Sequence, residues 1–226
     1  MDKRFWAIVG VIVAIFVGAL FLKGGNKNDN TSNGSSASAG ATSHYSGKLD
    51  SKVTLVEYGD YECPACESFH LTVQEVKEKY KDSIRFQFRN LPLTQIHPNA
   101  FAGARAAEAA DLQGKFWEMH DLLYQQSNWL QWSPASTSDP KPYFWQYAKD
   151  LGLDVAKFKK DFASSTVNSR INADRTAFDK TGEQLSTPSF FLNGKLIKNS
   201  DVLDSNQQPS LEAFSKVIDA ELKNTK

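Results

Sequence analysis

A strand pattern, a helix opened by two cysteines and a second strand pattern follow one another between Val53 and Leu91. No other feature restricts the fold of this chain as much. Residues 53–58 (VTLVEY) form a β-branched run between Lys52 and Gly59, which suits a buried strand. In Cys63-Pro64-Ala65-Cys66, Pro64 fits the first position of a helix, where a missing N–H costs no hydrogen bond, and Glu67 falls in the first turn. Phe69, Val73, Val76 and Tyr80 continue at helical spacing. Residues 83–91 then alternate Ile84, Phe86 and Phe88 with Arg85, Gln87 and Arg89, the pattern of a half-buried strand. Together they predict a βαβ unit with the cysteines at the strand-to-helix turn.

From 98 to 182 the pattern is helical. An Ala-rich stretch over 99–112 leads into helices over 115–126, 143–151, 155–164 and 168–180, with a proline-rich loop over 133–142. Residues 189–192 and 195–198 flank Asn193-Gly194, the strongest two-residue hairpin signal. The stretch 210–222 ends the chain as an amphipathic helix carrying Leu211, Phe214, Val217, Ile218 and Leu222 on one stripe.

The N-terminus is of another kind. Residues 5–22 (FWAIVGVIVAIFVGALFL) carry no charge, and as a helix they would be about 27 Å long, close to the hydrocarbon thickness of a bilayer. The run exceeds a typical secretory h-region and ends at Lys23 without a small-x-small site, so it reads as an uncleaved transmembrane anchor rather than a signal peptide. On either reading the rest of the chain is exported. Residues 23–47, mostly Gly, Ser, Asn, Thr and Ala, read as a flexible linker with little to bury. That leaves 48–226 as the folded part. The chain balances 26 basic against 26 acidic residues, which argues against a nucleic-acid partner.

Cys63 and Cys66 are the only cysteines, and three readings compete for them. A structural zinc site needs four ligands, usually as two pairs, but there is no second C-x-x-C and the four histidines are scattered; no metal is expected. A structural disulfide across two residues would close a loop too short to restrain much of the unfolded chain. A redox dithiol fits the strand-to-helix position. Cys63 would meet the unpaired N–H groups and positive end of the helix, which favour a thiolate, whereas Cys66 would lie one turn in and less exposed. Cys63 is then the attacking sulfur and Cys66 the one that resolves a mixed disulfide. Farther on, Thr187-Pro188 precedes a strand. Pro188 cannot donate a ladder bond and is expected at an edge or a tight turn, while most X–Pro bonds elsewhere are trans.

In order along the chain, VTLVEYGDYECPAC, FRNLPLTQIHPNA and STPSFFLNGK resemble landmarks of the DsbA-like thiol:disulfide oxidoreductases of the thioredoxin superfamily. The resemblance covers nearly all of 48–226. It implies an α/β thioredoxin fold with an inserted α-helical domain at about 97–182, preceded here by one transmembrane helix. It also implies Cys63 as nucleophile and Cys66 as resolving cysteine, with Pro64 and Ala65 between them, so that no cofactor is needed beyond the redox-active Cys63–Cys66 disulfide. By the same resemblance Pro188 is cis and faces the disulfide, and Thr187 offers backbone hydrogen bonds to an extended substrate. Glu57 matches an acidic residue beneath the active site that could accept the proton of Cys66; the competing expectation is an exposed strand-end carboxylate. Ala65 departs from the family, whose strongly oxidising members often carry histidine there.

The implied activity is a membrane-tethered oxidase that introduces disulfides into exported proteins. Its partners would be reduced, unfolded exported chains and a quinone-linked membrane protein that reoxidises it. Its catalytic domain would face outward from the cell membrane on a single-pass anchor. The rivals are a tethered thioredoxin-like reductase and a peptide-binding chaperone using the Thr187-Pro188 groove, a function that would survive replacement of Cys63 by Ser. An isomerase is disfavoured because no separate dimerisation domain precedes the catalytic one. The aromatics Trp117, Trp129, Trp132, Phe144, Trp145 and Tyr147 are expected to fill a core rather than line a substrate groove. His97 is expected to be a turn residue and His70 a solvated one.

Overall fold

The computed structural model describes residues 40–133 and 139–225. The anchor expected over 5–22 lies outside them, and among the described residues no helix is long and apolar enough to cross a membrane. Five strands are described: β1 (His44–Gly47), β2 (Thr54–Gly59), β3 (Arg85–Asn90), β4 (Ser189–Leu192) and β5 (Lys195–Ile197). They form one mixed sheet in the order β1-β3-β2-β4-β5. Only the β2–β3 pair is parallel; the others run antiparallel.

Helix α1 (Pro64–Lys79) supplies the crossover between β2 and β3, as parallel neighbours require. Between β3 and β4 come α2 (Ala100–Asp111), α3 (Phe116–Tyr124), α4 (Gln126–Trp132), α5 (Lys141–Asp150), α6 (Val155–Phe162) and α7 (Ser165–Asp179). A 3₁₀ turn (Asn199–Val202) and α8 (Leu211–Asn224) come after the β4–β5 hairpin. Caps set three of these starts: the Asp154 carboxylate and the Ser164 and Ser210 hydroxyls accept the N–H groups of Lys157, Val167 and Ala213 respectively.

The sheet is buried on both faces. Leu55, Phe86, Phe88 and Phe190 pack with Phe69, Val73, Phe214 and Ile218, whereas Tyr58 and Phe191 pack with Phe178 of α7 on the opposite side. Strand β2 therefore buries Leu55, Glu57 and Tyr58 and half-buries Val56, which explains its nearly continuous apolar run.

One expected boundary is corrected, and one helix beyond those expected is present. The linker was expected to run to Gly47, but residues 44–47 form β1, held by its ladder with β3 and by a 2.6 Å contact between His44 Nε2 and the buried Glu108 carboxylate. Residues 126–132 form α4, which has no side-chain cap and is fastened by long-range contacts: Trp129 Nε1 donates to the Tyr61 carbonyl at 2.9 Å and Trp132 is fully buried. Of the two placements expected for Pro188, the structure shows the turn: it sits in a bend one residue before β4, which lies between β2 and β5, where no N–H is required. Of the aromatic cluster, Trp132, Phe144 and Tyr147 are buried in the core and Trp117, Trp129 and Trp145 are half-buried against it.

Candidate active site

The site assembles where the C-terminal end of β2, the start of α1 and the residues preceding β4 converge. Cys63 is the N-cap of α1, in extended conformation, and Pro64 occupies the first helical position. The carbonyl of Cys63 accepts the Glu67 N–H at 3.1 Å, so the first turn closes on the cysteine itself. Both cysteines are free thiols. Cys63 is 7% exposed and Cys66 fully buried, while Pro64 and Ala65 are exposed. Attack from solvent can therefore reach only one of the two sulfurs.

Across from them, the Thr187–Pro188 peptide bond is cis. The Cys63 thiol points to the Thr187 carbonyl at 3.5 Å, and the buried Thr187 hydroxyl has no hydrogen-bond partner among the described residues. Pro188 is buried, and its carbonyl accepts from the Asn199 side chain at 3.1 Å. Sequence positions 63 and 187 are thus brought into contact by the return of the chain into β4.

The two thiols differ in acidity. The Cys66 thiol hydrogen-bonds to Cys63 and, against the opposing effect of burial, holds the Cys63 pKa down to about 6; the N–H groups of Cys66 and Ala65 act the same way. Burial pushes Cys66 well above the ordinary thiol range, reinforced by Cys63 and by Glu57. Glu57 is 3% exposed, so the expectation of an exposed strand-end carboxylate is overturned. It stands in register with Phe88 on β3 and Phe190 on β4, both of them fully buried. Burial raises its pKa to about 8, against a downward pull from Lys77. The Lys77 ammonium lies 3.7 Å from the centroid of the Trp117 ring.

His70 is not the solvated residue expected, whereas His97 keeps its expected place among turns. His70 is 7% exposed, because α3 packs over it; burial lowers its pKa to about 4, and its ring lies 5.5 Å from that of His120. His97 contacts the Asp60 carboxylate through Nδ1 at 2.7 Å. The signals for these placements are weak in one sequence, since each pair comes from segments far apart in the chain. Among the described residues one group has donor atoms close enough to hold a cation: His70, His120 and Asp121, within 4.8 Å of one another. Lys77 bears on all three and already places a positive charge there, which opposes a second cation.

A family model described as thioredoxin matches residues 39–220. Among curated relatives, the Na(+)/H(+) antiporter NhaA 1 of Salinispora arenicola is 42% identical over 176 residues, covering 76% of this chain and 25% of that protein. The Na(+)/H(+) antiporter NhaA 1 of Mycolicibacterium gilvum is 38% identical over 154 residues, covering 67% of this chain and 23% of that protein. The chain thus spans about a quarter of the length of these relatives. Among solved structures, oxidised BdbD from Bacillus subtilis is 23% identical with a TM-score of 0.64, covering 82% of this chain and 100% of that one. Wolbachia pipientis alpha-DsbA1 is 21% identical with a TM-score of 0.64, covering 80% and 90% respectively. These likenesses are to a DsbA-like thioredoxin fold with helices added to a mixed sheet.

Proposed function

The chain belongs to the thioredoxin family, and from that premise we propose that it is a thiol:disulfide oxidoreductase that introduces disulfide bonds into exported proteins through Cys63 and Cys66. The observation that carries the reading is the asymmetry of the pair: Cys63 at a helix N-terminus with its pKa held at about 6, Cys66 buried behind it. Stabilising the Cys63 thiolate stabilises the reduced form, which makes the disulfide a stronger oxidant.

In the proposed cycle a client thiolate attacks Cys63 Sγ, breaking the Cys63–Cys66 bond and forming a mixed disulfide. Cys66 leaves as a thiolate and takes a proton, which Glu57, protonated below about pH 8, would give. A second client thiolate attacks the client sulfur of the mixed disulfide, closes the client disulfide and releases the Cys63 thiolate. Two electrons pass to the protein, and the reverse transfers to an acceptor restore its disulfide. Thr187 and Pro188, beside Cys63, would align an extended client segment. No cofactor other than the disulfide is required.

On this reading the acceptor is a quinone-linked membrane protein, the clients are reduced, unfolded exported chains, and the domain faces outward from the cell membrane on a single span at 5–22. The antiporter name of the curated relatives describes proteins about three times as long, and the proposed activity rests on the dithiol alone.

The test is the reduction potential of the Cys63–Cys66 couple in the full-length protein, equilibrated against glutathione. A value near about −120 mV supports an oxidase; one near about −270 mV makes the protein a thioredoxin-like reductant and overturns the proposed direction.

A further inference from the structure

Asp60 connects the dithiol to a distant loop. Its carbonyl accepts the Cys63 N–H at 3.1 Å, and its own N–H points to Cys66 Sγ at 3.5 Å. Its carboxylate, in a residue only 1% exposed, accepts the N–H groups of Glu62 and Leu93, each at 2.8 Å. The third partner is His97 Nδ1 at 2.7 Å. His97 stands on the loop between β3 and α2, and that loop is joined to the cysteine turn at two further places. The Leu91 N–H donates to the Gly59 carbonyl at 2.8 Å, and the Asn99 N–H donates to the Glu62 carboxylate.

Two backbone donors already satisfy the Asp60 carboxylate structurally. His97 adds what they cannot, a side chain able to carry a positive charge at the rear of the CPAC turn. We propose that His97 is a positioning residue for the thiol chemistry: clamped by Asp60, its imidazolium offsets the carboxylate that lies beside the dithiol, so that Cys63 can hold its negative charge. The inference rests on the redox role proposed for Cys63 and adds a residue 34 positions away to its control.

The titratable groups acting on His97 come from the segment joining β2 to α1. Asp60 raises its pKa most, over the opposing effect of burial, and Cys63 and Glu62 act in the same direction. The influence of Cys63 on His97 implies an equal influence of His97 on Cys63, because the interaction energy of two charges is shared.

The experiment titrates the Cys63 thiolate in the reduced, full-length protein by its ultraviolet absorbance, for the wild type, His97→Gln, the double variant Asp60→Asn/His97→Gln and His97→Arg. His97→Gln leaves a bare carboxylate near the sulfur, so the midpoint should rise by about half a unit or more, a roughly threefold loss of thiolate below it. The double variant removes both charges and should return towards the wild-type midpoint. His97→Arg keeps the cation and should also hold that midpoint, with the circular dichroism of each variant checking its fold. An unchanged midpoint in folded His97→Gln, or a double variant displaced further than the single one, would overturn the inference and leave His97 a structural clamp. If His97→Gln does not fold, the double variant and His97→Arg decide, and a midpoint well above the wild type in both overturns it equally. A wild-type protein with no depressed thiol would instead remove the proposed function beneath it.

Discussion

At the scale of single residues, the informative group is Glu57. It pairs in the sheet with the buried Phe88 and Phe190, and burial raises its pKa from 4.5 to about 8. The folded state therefore binds a proton that the unfolded chain releases between those values. Stability is full below about pH 4.5 and declines as pH rises towards 8. Glu57→Gln removes that loss and should stabilise the reduced protein at neutral pH by on the order of 2 kcal/mol, measured by denaturant unfolding. The same substitution removes the proton donor proposed for Cys66. Thiol–disulfide exchange with a model dithiol should become slower and lose its dependence on a group titrating near pH 8. An unchanged unfolding free energy and an unchanged pH–rate profile would together remove Glu57 from the site.

At the scale of elements, the sheet and the crossover helix were legible because local and global signals agree there. The alternation over 83–91, the run over 53–58 and Pro64 all point to β3, β2 and α1, and each element forms where those residues stand. β1 and α4 were illegible for the opposite reason. HYSG and QSNWLQW have no periodicity or cap of their own, and partners far away in sequence, Glu108 and Tyr61, hold them in place. In the site, Cys63, Cys66 and Pro188 could be picked out by residue type and local pattern. The partnership of Asp60 with His97 could not, because nothing local to either residue announces a contact made only when two loops meet. Close packing of elements also explains Gly59, at the end of β2. A Cβ there would lie 2.5 Å from Phe88 Cε2 and 3.0 Å from Tyr124 Oη. Gly59→Ala should cost about 1–3 kcal/mol by overpacking, read as a lower Tm with the far-ultraviolet spectrum retained.

At the scale of the whole molecule, a buried polar network ties the N-terminal segment to the helices. Thr42 donates twice to Asp174 of α7, the Asn90 side chain reaches both Asp174 and Glu108, and Arg170 meets Glu108 and Asp111 of α2. His44 completes it. Burial would lower its pKa, but hydrogen bonds to Asp111 and Glu108, and their charges, outweigh that and raise it from 6.5 to about 9. Folding thus favours the protonated imidazole, so this stabilisation is complete below about pH 6.5 and is lost as pH rises through 9. His44→Gln should lower stability at neutral pH by on the order of 2 kcal/mol and flatten its decline above pH 7. Glu57 declines over part of the same window, so the measurement is the difference between wild-type and variant slopes. Equal slopes would show that His44 is not charged in the native state.

The borders of the sheet carry a consequence of their own. β1 contributes four residues and closes on Gly47 at a φ of 77°, a conformation that suits glycine; β5 contributes three and opens with an exposed Lys195. Neither border offers a stranger's backbone more than a few hydrogen bonds before the ladder runs out or meets a charge. On the proposed function, the protein would work among unfinished polypeptides, chains seeking a partner strand. Short borders would then let it exchange sulfur bonds with such chains without being drawn into their aggregates.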